Sequence, residues 1–480
     1  MTSYLPYIIS VAFPKLCVYA EIALFSRILS LKDFGLYGLV IAIGKFCDYA
    51  SAHWFRVGFL RIYHPGRTQS IQEKTDLGSA YKATLYCCIA AVLVSLPIIF
   101  VLVREDRVEF ALVVFLNLVG TASRYAVLNT LRGESRAIAY TVIEVVKPAS
   151  NIAAGFLLAK TVAATFFPVS IGVFGSSALI GISMFAVTWM QRRKRRGVNC
   201  VREMVNFAWP LAFGGLLTAI LGPLSRYQLQ WSIGPSAVAL YGAAYAITRQ
   251  PIDLIFTGLN LSMFTDLMKR SDAEGNENAA KLLRSQITTM LLAIVPIAGL
   301  VFSFSQDIVK VLFDERYWSG VPGLVPIMLL TAILSGIKSY GFDQGFYAAR
   351  KTSWQVMTFL PTVIVQVVGT GVLVYVCGLS GAAYGECLAA FVGIVCSAIL
   401  VRRFIRIYFP WRNVLFGLVP VLCMVIIVRL VGDSGFHVSL VTRAAMGLSV
   451  YVIGSFAVYV MLVHARPEFV AKILPGSASE

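Results

Sequence analysis

The chain has 480 residues, of which 58% are hydrophobic and only 14% charged, with a formal net charge of +17. An ordinary soluble domain carries roughly 25% charged residues, so the charge here is too sparse for a cytosolic enzyme, a disordered tail or a secreted disulfide scaffold, and a polytopic membrane protein remains. The basic surplus then fits the cytoplasmic side of a membrane, where Lys and Arg collect, and no nucleic-acid partner is expected.

In chain order, apolar runs separated by short charged loops predict about fourteen transmembrane helices, or twelve to thirteen if a weak run is re-entrant. They lie at 5–29, 34–58, 82–103, 108–130, 138–159, 163–190, 204–230, 236–262, 285–305, 321–347, 353–376, 380–401, 413–431 and 440–463. Each is near the ~20 apolar residues that a spanning helix needs. The first run has no basic segment before it and contains Pro14, Lys15, Glu21 and Arg27, so it is read as a retained helix and not as a cleaved leader. With the N-terminus in the cytoplasm, the cytoplasmic loops and tail hold 24 Lys and Arg, Lys82 at the first residue of its span being counted with them, against 6 in the opposite loops. The strongest topology signal is Arg192-Arg193-Lys194-Arg195-Arg196, and the asymmetry predicts that both termini are cytoplasmic. The cysteines form no CxxC pair and the four histidines are scattered, so no disulfide, metal or cofactor is assigned.

The chain repeats weakly. One offset of 204 residues aligns Leu36-Tyr37-Gly38 with Leu240-Tyr241-Gly242, Ala42-Ile43 with Ala246-Ile247, Lys45 with Arg249, Pro6 with Pro210 and Arg56 with Asn260. Both copies open on an odd-numbered span, so they share orientation. This predicts an all-α polytopic membrane protein with two pseudo-symmetric six-helix lobes around a central cavity, plus two C-terminal helices. The expected boundaries are 1–196, 197–409 and 410–480. Parallel repeats of this kind are a feature of transporters, with the substrate site near mid-membrane.

A charge within a span costs at least about 2.5 kcal/mol on insertion scales, so it needs a partner or a wet cavity. Bases exceed acids in these spans: Lys15, Arg27, Lys45, Arg56, Arg124, Lys147, Arg226, Arg249, Lys338, Arg429 and Arg443 stand against Glu21, Asp48, Glu144, Asp253, Asp343 and Glu386. A cavity so lined attracts an anion. Helical spacing puts Lys45, Asp48, Ala52 and Arg56 on one face of span two, and Arg249, Asp253, Phe256 and Asn260 on one face of span eight. Glu144, Lys147 and Asn151 share a face of span five, and Asn117 and Arg124 lie two turns apart on span four.

The candidate substrate-binding cations are therefore Lys15, Lys45, Arg56, Arg124, Lys147, Arg249 and Lys338. The candidate ion-coupling acids are Asp48, Asp253, Asp343 and Glu386, since a carboxyl in a low-dielectric cavity gains proton affinity that a neighbouring cation lowers again. The alternative reading is structural: Asp48 neutralised by Lys45, Asp253 by Arg249 and Glu144 by Lys147, with Arg27, Arg56, Arg226, Arg429 and Arg443 snorkelling to headgroups. No G-x-x-x-x-G-K-[ST] phosphate loop is present, Gly44-Lys45 being followed by Phe46, and the longest loops have only about 20 residues. Gradient-driven or passive transport is favoured over catalysis.

Several stretches, in the right order, resemble the polysaccharide-transporter family, which includes the Wzx-type O-antigen flippases of the multidrug/oligosaccharidyl-lipid/polysaccharide exporter superfamily. Ser26 to Gly38, ending in Phe34-Gly35-Leu36-Tyr37-Gly38, resembles the junction of spans one and two, and Ile233 to Tyr245 its counterpart in the second lobe. Val311-Leu312-Phe313-Asp314-Glu315-Arg316-Tyr317-Trp318 is similar to the segment after span nine, and Leu379-Ser380-Gly381-Ala382-Ala383-Tyr384-Gly385 to the start of span twelve. The resemblance implies a non-enzymatic flippase that carries undecaprenyl-pyrophosphate-linked oligosaccharide repeat units across the bacterial inner membrane for O-antigen, capsule or exopolysaccharide synthesis. Alternating access through a cationic cavity is implied with it. So are membrane lipids as partners, coupling to a proton or sodium ion, and association with polymerase and chain-length machinery. Tyr37, Tyr241, Tyr245 and Tyr340 are aromatic candidates for stacking on sugars, the alternative being packing or interface anchoring. The alternative within the superfamily is a multidrug or small-molecule cation antiporter, whose cavity should be acidic.

Overall fold

The computed structural model describes residues 4–62, 77–134, 136–192, 201–433 and 439–465. The basic run expected to anchor the topology lies outside these residues beyond Arg192, as do His64, Cys200 and His437. The described residues form sixteen α-helices and no strand. These are α1 (Tyr4–Ile28), α2 (Leu31–Asp48), α3 (Trp54–Ile62), α4 (Leu77–Leu102), α5 (Arg107–Gly133), α6 (Ala137–Thr161), α7 (Phe166–Arg192) and α8 (Val201–Ser232). There follow α9 (Pro235–Ser303), α10 (Ser305–Leu312), α11 (Val325–Ile337), α12 (Asp343–Ala348), α13 (Thr352–Cys377), α14 (Leu379–Val401), α15 (Trp411–Asp433) and α16 (Leu440–Ala465). Among the described residues, nine helical stretches are long and apolar enough to cross a membrane. The chain is an all-helical membrane protein. The expected fourteen includes α2, whose apolar run is interrupted by Lys32, Asp33, Lys45 and Asp48.

Local chemistry sets the helix junctions. Ser30 caps α2: its Oγ accepts the Asp33 N–H at 3.1 Å and donates to Asp33 Oδ2 at 2.6 Å, satisfying orphan groups of the first turn. Between α8 and α9, Gly234 has φ +114° and Pro235 is the first residue of the new helix, the usual C-terminal Gly and N-terminal Pro asymmetry.

The sequence predicted a polar loop at 263–284 between two spans, whereas the backbone remains helical throughout α9. Ala, Glu, Lys and Leu in this segment are strong helix formers, which explains the difference. The helix is nonetheless not straight. Gln286 Nε2 donates to Asn260 Oδ1 at 3.2 Å, yet 26 residues of straight helix would separate them by about 39 Å. The chain therefore doubles back between them.

The chain divides into two compact units. The first comprises Met1–Ala243, Leu312–Tyr317 and Val363–Gly385, and the second Ala244–Val311, Trp318–Thr362 and Glu386–Glu480. In the first, α5 and α6 pack on α7, α1 on α6, and α3 on α8. One end of this unit gathers the turns predicted to be extracytoplasmic. Lys32 pairs with Glu105 at 2.6 Å, Gln230 Nε2 donates to the Leu102 carbonyl at 3.1 Å, and Arg316 Nη2 donates to the Ser26 carbonyl at 3.3 Å. Phe55, Phe59, Leu77 and Met204 form an apolar cluster where α3 meets the starts of α4 and α8. At the Leu312–Tyr317 segment, the hydrogen bond from Arg316 holds the Asp314 carboxyl below its usual range. That stabilisation is present above the ordinary carboxyl value and is lost as pH falls through the lowered one. In the second unit α15 packs on α16. Near predicted span ends, Arg429 lies 4.6 Å from the centre of the Phe302 ring and Arg443 pairs with Asp307 at 3.3 Å.

Small residues allow α5 and α7 to approach closely, as in other membrane helix pairs. A Cβ at Gly120 would sit 2.8 Å from the Ala178 amide nitrogen, and one at Gly181 2.7 Å from the Gly120 carbonyl oxygen. Neither backbone can rotate out of the way. Gly120→Ala is expected to destabilise the protein by about 1–3 kcal/mol, the usual range for overpacking. Gly38→Ala, whose Cβ would meet nothing within 4 Å, is the matched control. Thermal unfolding of the purified variants checks this, and equal melting temperatures would refute the close packing.

Candidate functional site

Several of the intramembrane charges are held in salt bridges, and two π-turns set the most enclosed of them. The α2–α3 helix carries a π-turn at Tyr49–His53. Residues eight apart are rotated by about 80° in a regular α-helix, and the extra residue of a π-turn removes about 100° of that. Arg56 is thereby brought over Asp48, and both its terminal nitrogens grip both carboxylate oxygens. The second π-turn, Lys338–Phe342, does the same for residues five apart. Lys338 Nζ reaches Asp343 Oδ2 at 2.8 Å.

In the first unit the pairs join into a chain. The Arg56 guanidinium lies 4.3 Å from the centre of the Tyr125 ring, and that of Arg124 lies 4.4 Å from the same ring. Arg124 Nη1 pairs with Glu144 across α5 and α6. Its buried Nε–H has no acceptor among the described residues. Lys147, one turn along α6 from Glu144, interacts electrostatically with Glu144, Arg124 and Glu21. Glu21 in turn accepts from the Tyr37 hydroxyl. Lys15 and Lys45 are exposed.

In the second unit, Arg249 Nη1 pairs with Glu386 Oε1 at 2.7 Å, and its Nε is 3.5 Å from Asp253 Oδ2. Asp343 is fully buried and also accepts from Ser397 Oγ at 2.7 Å and from Gln355 Nε2 at 3.4 Å. Lys338 lies 4.2 Å from the Phe359 ring centre.

The predicted site residues thus separate by unit. Lys15, Lys45, Arg56, Arg124 and Lys147 lie in the first, with Asp48 as its one ion-coupling candidate. Arg249 and Lys338 lie in the second with Asp253, Asp343 and Glu386. Over all the intramembrane charges named above, bases exceed acids by seven to three in the first unit and by four to three in the second. Two of the acids have partners that the expected pairings did not include. The carboxylate of Asp48 is gripped by Arg56, which the π-turn brings over it. Glu144 makes its salt bridge with Arg124 on the neighbouring helix.

Two of the four sugar-stacking candidates take the packing role that was their alternative. Tyr37 is 4% exposed and Tyr241 2%, so both are core residues. Tyr37 stacks on Phe174 with ring centres 5.4 Å apart. Tyr340 stacks on Phe256 at 5.5 Å and shares a 3.1 Å hydrogen bond with Thr257. Tyr125, Ser397 and Gln355 were missed by sequence reasoning. The only signal for Tyr125 is its adjacency to Arg124. Ser397 and Gln355 show as isolated polar residues in apolar spans.

The family profile described as polysaccharide biosynthesis protein matches residues 24–322. No curated protein matches the chain. Among solved structures it is similar to the lipid II flippase MurJ in an inward closed conformation. That alignment has 15% identity and a TM-score of 0.75, and covers 96% of this chain and 99% of the other. It is also similar to an inward-facing multidrug resistance MATE family transporter of the MOP superfamily, at 14% identity and a TM-score of 0.63, covering 83% and 98%. A third likeness is to an outward-facing multidrug resistance MATE family transporter of the same superfamily, at 17% identity and a TM-score of 0.52, covering 83% and 93%. The fold is the one these transporters share.

Proposed function

The chain belongs to the polysaccharide biosynthesis protein family, and on that premise we propose that it is a flippase for polyprenyl-pyrophosphate-linked oligosaccharide repeat units. The observation that carries this reading is the pair of guanidiniums, Arg56 and Arg124, on one aromatic ring at 4.3 and 4.4 Å. Two such cations suit a pyrophosphate, since each arginine can bind phosphate oxygens in a forked arrangement. Asp48 and Glu144 hold them in its absence, neutralising charges that would otherwise repel across Tyr125. An arriving pyrophosphate competes with these carboxylates for the same donors, and the Nε–H of Arg124 is a donor they leave unused.

The division of charge supports a division of labour. The first unit, with the larger basic surplus, takes the anionic head. The second, with Asp253, Asp343 and Glu386, is where proton or sodium coupling is placed, alongside Asp48 in the first. The proposed architecture is two six-helix lobes and two C-terminal helices, in the bacterial inner membrane with both termini cytoplasmic, working by alternating access and serving O-antigen, capsule or exopolysaccharide synthesis beside its polymerase. A multidrug cation antiporter shares the fold, but a basic surplus in one unit disfavours cationic cargo.

Deleting the gene in its host tests the reading. Loss of surface polymer with accumulation of lipid-linked units on the cytoplasmic leaflet is expected, reversed by the intact gene. Normal polymer, no accumulation and a gain in sensitivity to cationic drugs would favour the antiporter instead.

A further inference from the structure

One cavity is not used by the charge chain. It lies in the first unit, where α1, α4 and α8 end and α2, α5 and α9 begin. It measures about 370 Å³, within the range of small-molecule sites. Its walls include Lys32, Arg104, Glu105 and Asp106, two positive and two negative groups. Lys32 and Glu105 are joined at 2.6 Å. That hydrogen bond holds the Lys32 amine above its ordinary value and the Glu105 carboxyl below its own, so both stay charged through the physiological range. With charge balanced, the walls have no surplus cation for a phosphate. Trp231, also in the wall, is 58% exposed and offers a flat apolar ring beside these polar groups.

The walls are fixed in place. Gln230 is tied to the Leu102 carbonyl at 3.1 Å, and Gly35 lies so close to the Pro235 carbonyl that no Cβ fits between them. Asp106 enters α5 with φ 50°, the left-handed region that Asp tolerates better than most residues. A pocket held this way needs little ordering on binding.

We propose that this pocket is a saccharide-binding site, separate from the arginine pair. The Trp231 ring packs on the C–H face of a pyranose, Glu105 and Asp106 accept from its hydroxyls, and Lys32 and Arg104 donate to them. The inference rests on the saccharide cargo proposed above and adds a second place where the same chain meets the sugar.

The test uses the full chain in lipid nanodiscs and isothermal titration calorimetry. The probes are the host's own lipid-linked oligosaccharide and the free oligosaccharide released from it by mild acid. Trp231→Ala is expected to weaken binding about tenfold, a change of 1.4 kcal/mol, and Trp231→Phe much less. Inorganic pyrophosphate should not compete with the free oligosaccharide. Loss with both probes means that the site reads the sugar, and loss only with the lipid-linked probe means that Trp231 meets the lipid and not the saccharide, which overturns the proposal. Unchanged affinity for both probes in Trp231→Ala, or competition by pyrophosphate for the free sugar, overturns the proposal. If Arg124→Ala then still weakens the lipid-linked probe, the cargo reading stands without this site. If neither probe binds the wild-type protein, both fall.

Discussion

Arg124→Ala is expected to abolish polymer export while leaving the protein in the membrane. The substitution removes one of the two guanidiniums facing Tyr125. Truncating one side of a buried charged contact typically costs about 2–5 kcal/mol of binding, or roughly 30-fold to several thousand-fold in affinity. It also leaves Glu144, whose side chain is 17% exposed, without its salt-bridge partner, so a loss of stability is expected as well. The double variant Arg124→Ala/Glu144→Ala separates the two effects. It should recover much of the melting temperature and none of the export. Arg124→Lys keeps the charge but loses the fork, and should export poorly. Export restored together with stability in the double variant would show that the pair is structural, and the same comparison applies to Arg56 with Asp48.

The second large effect is expected at Lys338. Its side chain is 6% exposed and that of Asp343 1%, and Ser397 and Gln355 donate to the same carboxylate. Lys338→Met leaves that carboxylate buried without its counter-charge, a change expected to destabilise by about 3–5 kcal/mol. Lys338→Met/Asp343→Leu removes both charges and should recover most of the loss, since buried ion pairs replaced by apolar side chains are often tolerated. Chemical unfolding of the two variants in detergent measures the difference. The recovered double variant is also informative about transport. If it exports with an unchanged pH profile, Asp343 is removed from the ion-coupling candidates.

Much of the fold was legible because polar residues interrupt apolar runs at the ends of spans. The run predicted at 353–376 is the helix Thr352–Cys377, and that at 380–401 is Leu379–Val401. The backbone of 263–284 was missed because its residues are polar enough to suggest a loop yet good helix formers. At the site, composition identified the residues but not their partners. A spacing rule that assumes 3.6 residues per turn leaves Arg56 about 80° round the helix from Asp48, and it fails where the π-turn at Tyr49–His53 inserts a residue. No pattern along one helix discloses Arg124 with Glu144, or Arg249 with Glu386 137 residues away, because those contacts are made between helices. The tyrosines of the repeated Leu-Tyr-Gly motif, Tyr37 and Tyr241, are both buried, which gives them a packing role.

The most direct test of a pyrophosphate-reading flippase is leaflet exchange in proteoliposomes. Purified protein would be reconstituted with a short-chain polyprenyl-pyrophosphate disaccharide in one set of vesicles and the same disaccharide on an uncharged polyprenol in another. An outside-acting glycosidase then reports how much substrate reaches the outer leaflet. Rapid exchange of the pyrophosphate form, slow exchange of the uncharged form and loss of the difference in Arg124→Ala/Glu144→Ala are predicted. Equal exchange of both substrates, or none of either by active protein, would contradict the assignment of the arginine pair to the cargo.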